Sequence, residues 1–127
     1  GDAALLVALD CGWRHASGLR KVTTETRDLF RRPLEPIEFA RFDAAVIDPP
    51  RAGAEAQAGR LAEGGPARIA MVSCNPVTFA RDAQILAKDG YSLEWIDVID
   101  QFRWSSHVEL AAAFIRTAPA AQRTRPK

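Results

Sequence analysis

The sequence predicts an α/β fold with a mostly parallel sheet, and three observations carry that prediction. Two short apolar runs, residues 42–47 (FDAAVI) and 68–73 (RIAMVS), suit strands buried on both faces. Each is followed by a helical pattern closed by glycine. Strand and helix alternate along the chain, which indicates a sheet layered with helices.

The elements follow in order. Leu5, Leu6, Leu9 and Trp13 share one helical face and Gly18 is a stop signal, so a first helix is predicted over 2–16. Residues 21–24 (KVTT) are a short strand candidate, and 27–36, with two prolines, read as a loop. The strand at 42–47 stops at Asp48-Pro49-Pro50. An alanine-rich helix is predicted over 54–62, closed by Gly64-Gly65-Pro66, and a second buried strand over 68–73. Asn75 as N-cap and Pro76 at the first helical position open the next helix. Phe79, Ala83 and Leu86 line its apolar face, and Gly90 ends it. Residues 91–99 (YSLEWIDVI) read as a strand, and 108–115 (VELAAAFI) as a last strand whose alanines leave it ambiguous with helix. No repeat or linker divides the pattern. One unit over 1–116 is expected, with a flexible tail over 117–127, where Pro, Ala and basic residues show no apolar period.

Composition narrows the function classes. A chain of 127 residues suffices for one core, and 47% hydrophobic with 26% charged residues is ordinary for a soluble domain. A net charge of +1 excludes a strong global basic field, so contact with nucleic acid must come from a local patch. Arg14, Arg20, Lys21, Arg31 and Arg32 supply some local charge, although most such residues form a solvated face. No apolar run reaches the roughly 20 residues of a membrane helix, so no membrane partner is expected. Two cysteines, Cys11 and Cys74, make no disulfide framework and suggest free thiols in a reducing, cytoplasmic setting. No metal site is expected. Gly1-Asp2 leads at once into Ala3-Ala4-Leu5-Leu6 without a start methionine, which suggests a beginning inside a larger protein.

Ligands of open α/β sheets bind beyond the carboxyl ends of the strands. Three such ends carry polar or reactive residues: Asp48-Pro49-Pro50-Arg51, Ser73-Cys74-Asn75-Pro76, and Asp100-Gln101-Phe102, with His107-Val108-Glu109 following. Cys74 falls between a strand end and a helix N-terminus, where partial positive charge and free backbone donors favour the nucleophilic thiolate form. The alternative is a buried structural cysteine. Two prolines would fix the Asp48 carboxylate at the sheet edge for a ligand; the alternative is a turn cap. Alternation would turn Glu109 away from the side that Val108 and Leu110 bury, which also fits a solvated glutamate. His107 is open between a ring packed on Trp104, a base and a phosphate contact.

These blocks resemble a known family. Phe42-Asp43 with Val46-Ile47-Asp48-Pro49-Pro50-Arg51-Ala52-Gly53, then Val72-Ser73-Cys74-Asn75-Pro76, Ala80-Arg81-Asp82, Gly90-Tyr91, Asp100-Gln101-Phe102 and His107-Val108-Glu109 match the C-terminal part of the RNA uracil-5-methyltransferases in order and spacing. The resemblance implies a Rossmann-like class I methyltransferase sheet, truncated at its N-terminal side. It implies S-adenosyl-L-methionine as cofactor and transfer or ribosomal RNA as substrate. It assigns Cys74 as nucleophile on uracil C6, Glu109 as the base that removes the C5 proton, and Asp48 as a cofactor contact. Pro49, Arg51, Asn75 and His107 are expected on the substrate side. The target base would be flipped out to reach Cys74.

The family's glycine-rich cofactor loop has no counterpart here. Asp10-Cys11-Gly12 resembles it faintly, but sits inside the first predicted helix with Trp13-Arg14 in place of glycines. The isolated chain is therefore expected to be inactive. The run Arg103-Trp104-Ser105-Ser106 departs from the family's proline-containing form. With the family's first two strands missing, the strand at 42–47 would become a bare edge and the chain would self-associate through it. Two other readings stay open: a non-catalytic RNA- or protein-binding fragment, and a Rossmann-type nucleic-acid N-methyltransferase, which needs Asp-Pro-Pro but not Cys74.

Overall fold

The computed structural model describes residues 3–18, 21–100 and 102–117. Its elements are α1 (Ala3–His15), α2 (Pro36–Phe39), β1 (Ala44–Ile47), α3 (Glu55–Gly64), β2 (Arg68–Ser73), α4 (Pro76–Lys88), β3 (Tyr91–Ile99) and β4 (Glu109–Arg116). The α/β class, α1, the strands and the two long helices are where the sequence places them. The single turn α2 adds itself at the end of the predicted loop. The expected tail, from 118 onward, lies outside the described residues.

The sheet order is β1-β2-β4-β3. β1 pairs with β2 in parallel, whereas β2–β4 and β3–β4 are antiparallel. The expectation of a mostly parallel sheet is corrected here. A parallel return needs a crossover of a dozen or more residues, usually a helix. Helices α3 and α4 supply such crossovers, but only the loop 100–108 joins β3 to β4. β4 therefore runs back between β2 and β3. The carboxyl ends of β1, β2 and β3 and the amino end of β4 thus share one edge.

The strand candidate at 21–24 is also corrected: these residues join no ladder. β-branched residues fit a strand only where a neighbour offers a pairing edge, and β1 is itself the end of the sheet. That bare β1 edge is the one expected from the sequence.

Helices α3 and α4 pack on one face of the sheet. Leu61, Ile69, Met71, Leu86 and Phe114 are fully buried between them, each contributing about 1.5–3 kcal/mol relative to exposure. Phe79 of α4 meets Phe114 with ring centroids 6.4 Å apart. In β4, Leu110, Ala112 and Phe114 are buried and the residues between them are not. This period of two settles the ambiguity of the alanine-rich run in favour of strand. The opposite sheet face exposes Val46, Val72 and Trp95, and α1 exposes Val7 and Leu9.

The segment before β1 is tied to α3 by side chains. Gln57 accepts from Leu34 N at 2.9 Å and donates to Leu34 O at 3.1 Å. Arg27 pairs with Glu38 of α2 at 2.9 Å. At the amino edge of the sheet, Arg116 donates to Leu61 O at 2.7 Å and lies 4.2 Å over the Tyr91 ring. Tyr91 donates to Pro66 O at 2.5 Å. Burial raises the Tyr91 phenol above its ordinary value, and the Arg116 guanidinium opposes that shift.

Candidate active site

Three sequence-predicted strand ends meet at the carboxyl edge. The β2–β4 ladder closes at Ser73–Leu110. Cys74 follows the last residue of β2 and Glu109 opens β4, so both lie at this end of the ladder, one residue past its last rung. Glu109 pairs with Ile99 at the end of β3. Leu110 is buried against the helices and Glu109 is only half-buried, so Glu109 turns to the other side as alternation predicts. Cys74 is a free, half-buried thiol, not a fully buried structural cysteine.

Asn75 behaves as the sequence predicts. Its side chain accepts from Val77 N at 3.0 Å, and Pro76 fills the first turn of α4. Ser73 locks the turn that carries Cys74: its hydroxyl accepts from Asn75 N and donates to Asn75 O, both at 3.2 Å.

The Asp48-Pro49-Pro50-Arg51 block is fastened to this helix. Asn75 Nδ2 and Thr78 Oγ1 both donate to Arg51 O at 3.0 Å. Arg81 donates to Ala52 O at 3.0 Å. Asp82, with 0% exposure, accepts from Ala54 N at 2.6 Å and pairs with Arg81 at 2.8 Å. Gly53 closes the turn with its N–H on Pro50 O at 2.8 Å. Its φ of +79° favours glycine, and a Cβ there would lie 2.5 Å from Arg81 Nη2 and 2.7 Å from Asp82 Oδ2. Thr78, Arg81, Asp82 and Gly53 thus position the site. Ala80-Arg81-Asp82 was legible in the sequence only as a matching block, because a buried carboxylate on a helix looks like any surface aspartate.

Asp48 and Arg51 are exposed at this edge, with Pro49 half-buried. Arg51 Nη1 lies 3.2 Å from His107 Nδ1. Arginine only donates, so His107 accepts at Nδ1 and carries its proton on Nε2. The ring is not packed on Trp104, whose side chain is fully exposed. Beside Asp48 opens a cavity of about 570 Å³, bounded by Asp28, Leu29, Phe30, Ile47, Pro49 and the start of α3. Its volume falls in the range of small-ligand sites. Asp28 on its wall had no signal in the sequence, since it comes from an irregular segment. Among the described residues no cluster of three or more His, Cys, Asp or Glu forms a metal site. Gln101 lies outside the described residues.

A family model described as tRNA (Uracil-5-)-methyltransferase matches residues 14–117. The chain belongs to this family. It is 55% identical over 115 residues to an uncharacterized RNA methyltransferase of Brucella suis biovar 1 (strain 1330), spanning 91% of this chain and 28% of that protein. It is 42% identical over 104 residues to the 23S rRNA (uracil(1939)-C(5))-methyltransferase RlmD of Hahella chejuensis (strain KCTC 2396), spanning 77% of this chain and 23% of that one. The crystal structure of Pyrococcus abyssi tRNA (uracil-54, C5)-methyltransferase in complex with S-adenosyl-L-homocysteine superposes with a TM-score of 0.53 at 42% identity. That match covers 60% of this chain and 19% of the archaeal one. The chain therefore represents a quarter or so of its relatives, 28% in the Brucella case. The sheet is of the Rossmann-like methyltransferase class, in a family of RNA methyltransferases. No helix among the described residues is long and apolar enough to cross a membrane.

Proposed function

We propose that this chain holds the reacting groups for S-adenosyl-L-methionine-dependent methylation of uridine C5 in RNA. The observation that carries the reading is that Cys74 and Glu109 both lie one residue past the last β2–β4 rung, in a chain of this family. The Cys74 thiolate adds to C6 of the uracil ring, and the electron pair of the C5–C6 double bond moves toward C5 and the O4 carbonyl. When bound, the cofactor supplies an electrophilic methyl group for C5. Glu109 then takes the C5 proton, the double bond re-forms, and the C6–sulfur bond breaks to return the thiolate. Asp48 would hold the cofactor beside the cavity, where the apolar wall and the Asp28 and Asp48 carboxylates suit a ligand with a flat ring and positive charge. Pro49, Arg51, Asn75 and His107 face the substrate side.

In this reading residues 1–116 are the C-terminal part of the catalytic domain, and the glycine-rich cofactor loop is supplied from outside this sequence. The isolated chain is then inactive, and its bare β1 edge pairs between copies. A strictly monomeric species by light scattering would count against that pairing.

The decisive experiment is mass spectrometry of protein mixed with 5-fluorouridine-containing RNA, with and without the cofactor. Fluorine at C5 blocks the proton removal that Glu109 performs, so the adduct persists. A cofactor-dependent adduct mapped to Cys74 in a protein extended upstream of Gly1, and none in the isolated chain, is the expected result. It should vanish in Cys74→Ser. Turnover that survives Cys74→Ser would overturn the covalent route and favour methylation of an exocyclic nitrogen.

A further inference from the structure

We propose that Trp104 is a stacking platform for an unpaired base of the RNA next to the target uridine. The proposal rests on the reading of RNA as substrate, and it assigns a contact beyond the groups that react. Trp104 is the one non-glycine residue with positive φ, +67°, among the described residues. Its side chain is fully exposed, at 103%. Each feature opposes folding. A left-handed backbone disfavours a bulky side chain, and an indole in water forgoes burial against the core. Such an outlier at a functional edge points to a role outside the fold.

The location fits that role. Loop 102–107 lies between β3 and β4 at the edge where β2 ends before Cys74 and β4 begins at Glu109. Ser105 N donates to Phe102 O and His107 N donates to Ser105 Oγ, both at 3.1 Å, so the turn that presents the indole is held by its own hydrogen bonds. His107 is in turn held by Arg51. Exposed Trp95 differs: it stands on a sheet face among other apolar side chains, as a surface meant for packing would. Trp104 stands beside the exposed Arg103 in the loop whose His107 holds Arg51, and the two arginines supply positive charge for a phosphodiester backbone. A base taken out of its stack leaves its neighbour with a bare π face, and an indole with adjacent guanidinium groups is suited to cover it.

The test uses the full chain and a short uridine-rich single-stranded RNA, with binding read by fluorescence anisotropy. Trp104→Ala should weaken binding about 5- to 100-fold, the span found for single base–aromatic stacks, while Trp104→Phe retains most of it and Trp104→Leu does not. A second RNA of equal phosphate count, with abasic positions, should bind the unaltered chain as weakly as the uridine-rich RNA binds Trp104→Ala. Circular dichroism checks that each variant is folded. Equal affinity of Trp104→Ala and the unaltered chain, or no measurable binding by the unaltered chain, would overturn the proposal. The Cys74 adduct is read separately, in a protein extended upstream of Gly1. Trp104-dependent binding by the chain, with no Cys74 adduct from the extended protein either, would leave the platform standing and sink the covalent mechanism.

Discussion

Turn 50–53 and loop 102–107 flank the same edge of the sheet and are held in opposite ways. The first is gripped at three points within four residues, with Arg51 O, Ala52 O and Ala54 N all bonded to α4 and a buried Asp82 beneath. Among the described residues the second reaches the rest of the site through one exposed side-chain hydrogen bond, Arg51 to His107, and lifts Trp104 into solvent. Under the proposed function the difference fits two tasks. The first would carry Asp48 and the support of Cys74, which would need fixed geometry for chemistry. The second would present a surface open to a large substrate.

The largest effect should come from undoing the grip. Asp82→Ala removes a fully buried carboxylate that serves both Ala54 N and Arg81. It should cost about 3 kcal/mol, measured by urea unfolding, because it leaves the Ala54 N–H unpaired and takes a buried carboxylate from Arg81, which keeps only Ala52 O and Glu55. A loss under ~1 kcal/mol would mean that the turn holds itself. Gly53→Ala comes next. It meets the positive φ and the Arg81 and Asp82 side chains at once, and should destabilise by about 2 kcal/mol.

The open loop should respond with the other sign. Trp104→Gly relieves the φ of +67° and should raise stability by up to about 1 kcal/mol, even as RNA binding falls. A lower midpoint for this variant would show that the indole supports the fold.

Smaller still is the link between the two. Nitrogen-detected NMR should find His107 protonated on Nε2 and His15 on Nδ1, since His15 Nδ1 lies 2.8 Å from the Cys11 carbonyl. Arg51→Gln should mix the His107 tautomers and leave His15 unchanged, with stability nearly unaltered because the pair is exposed. The same tautomer in Arg51→Gln would mean that Arg51 does not set it.

The amino edge provides a control. Tyr91 is the single tyrosine, so phenolate absorbance reports it alone. Its folded pKa is raised from the ordinary 10.0 by burial. The associated stability is fully present below about pH 10 and is lost as pH rises through the higher folded value. The titration should therefore lie above that of the unfolded chain and coincide with the onset of alkaline unfolding. A phenolate that appears at the ordinary pH would show that the Tyr91–Pro66 contact is open in solution.

Much of this was legible in the residues. Asn75-Pro76 started a helix because capping and proline act within a single turn. Residues 91–99 and 68–73 formed strands because their apolar character exceeds anything a loop of that length tolerates. The Cys74 and Glu109 blocks could be singled out because each sits at a strand end. The pairing of β4 was not legible. VELAAAFI carries no mark of direction, and only the short 100–108 connection, read together with the full sheet order, turns it antiparallel. Residues 21–24 have strand chemistry but no partner, and propensity cannot supply one.

The sequence by itself determined the order of the main elements, the family and the residue types at the candidate edge, because these depend on periodicity, capping and local composition. Only the tertiary structure decided that β4 lies between β2 and β3, which brings Cys74 and Glu109 to the same end of one ladder. Likewise it alone made Asp82 a buried support and Trp104 an exposed indole, since burial depends on what distant segments bring to the same place.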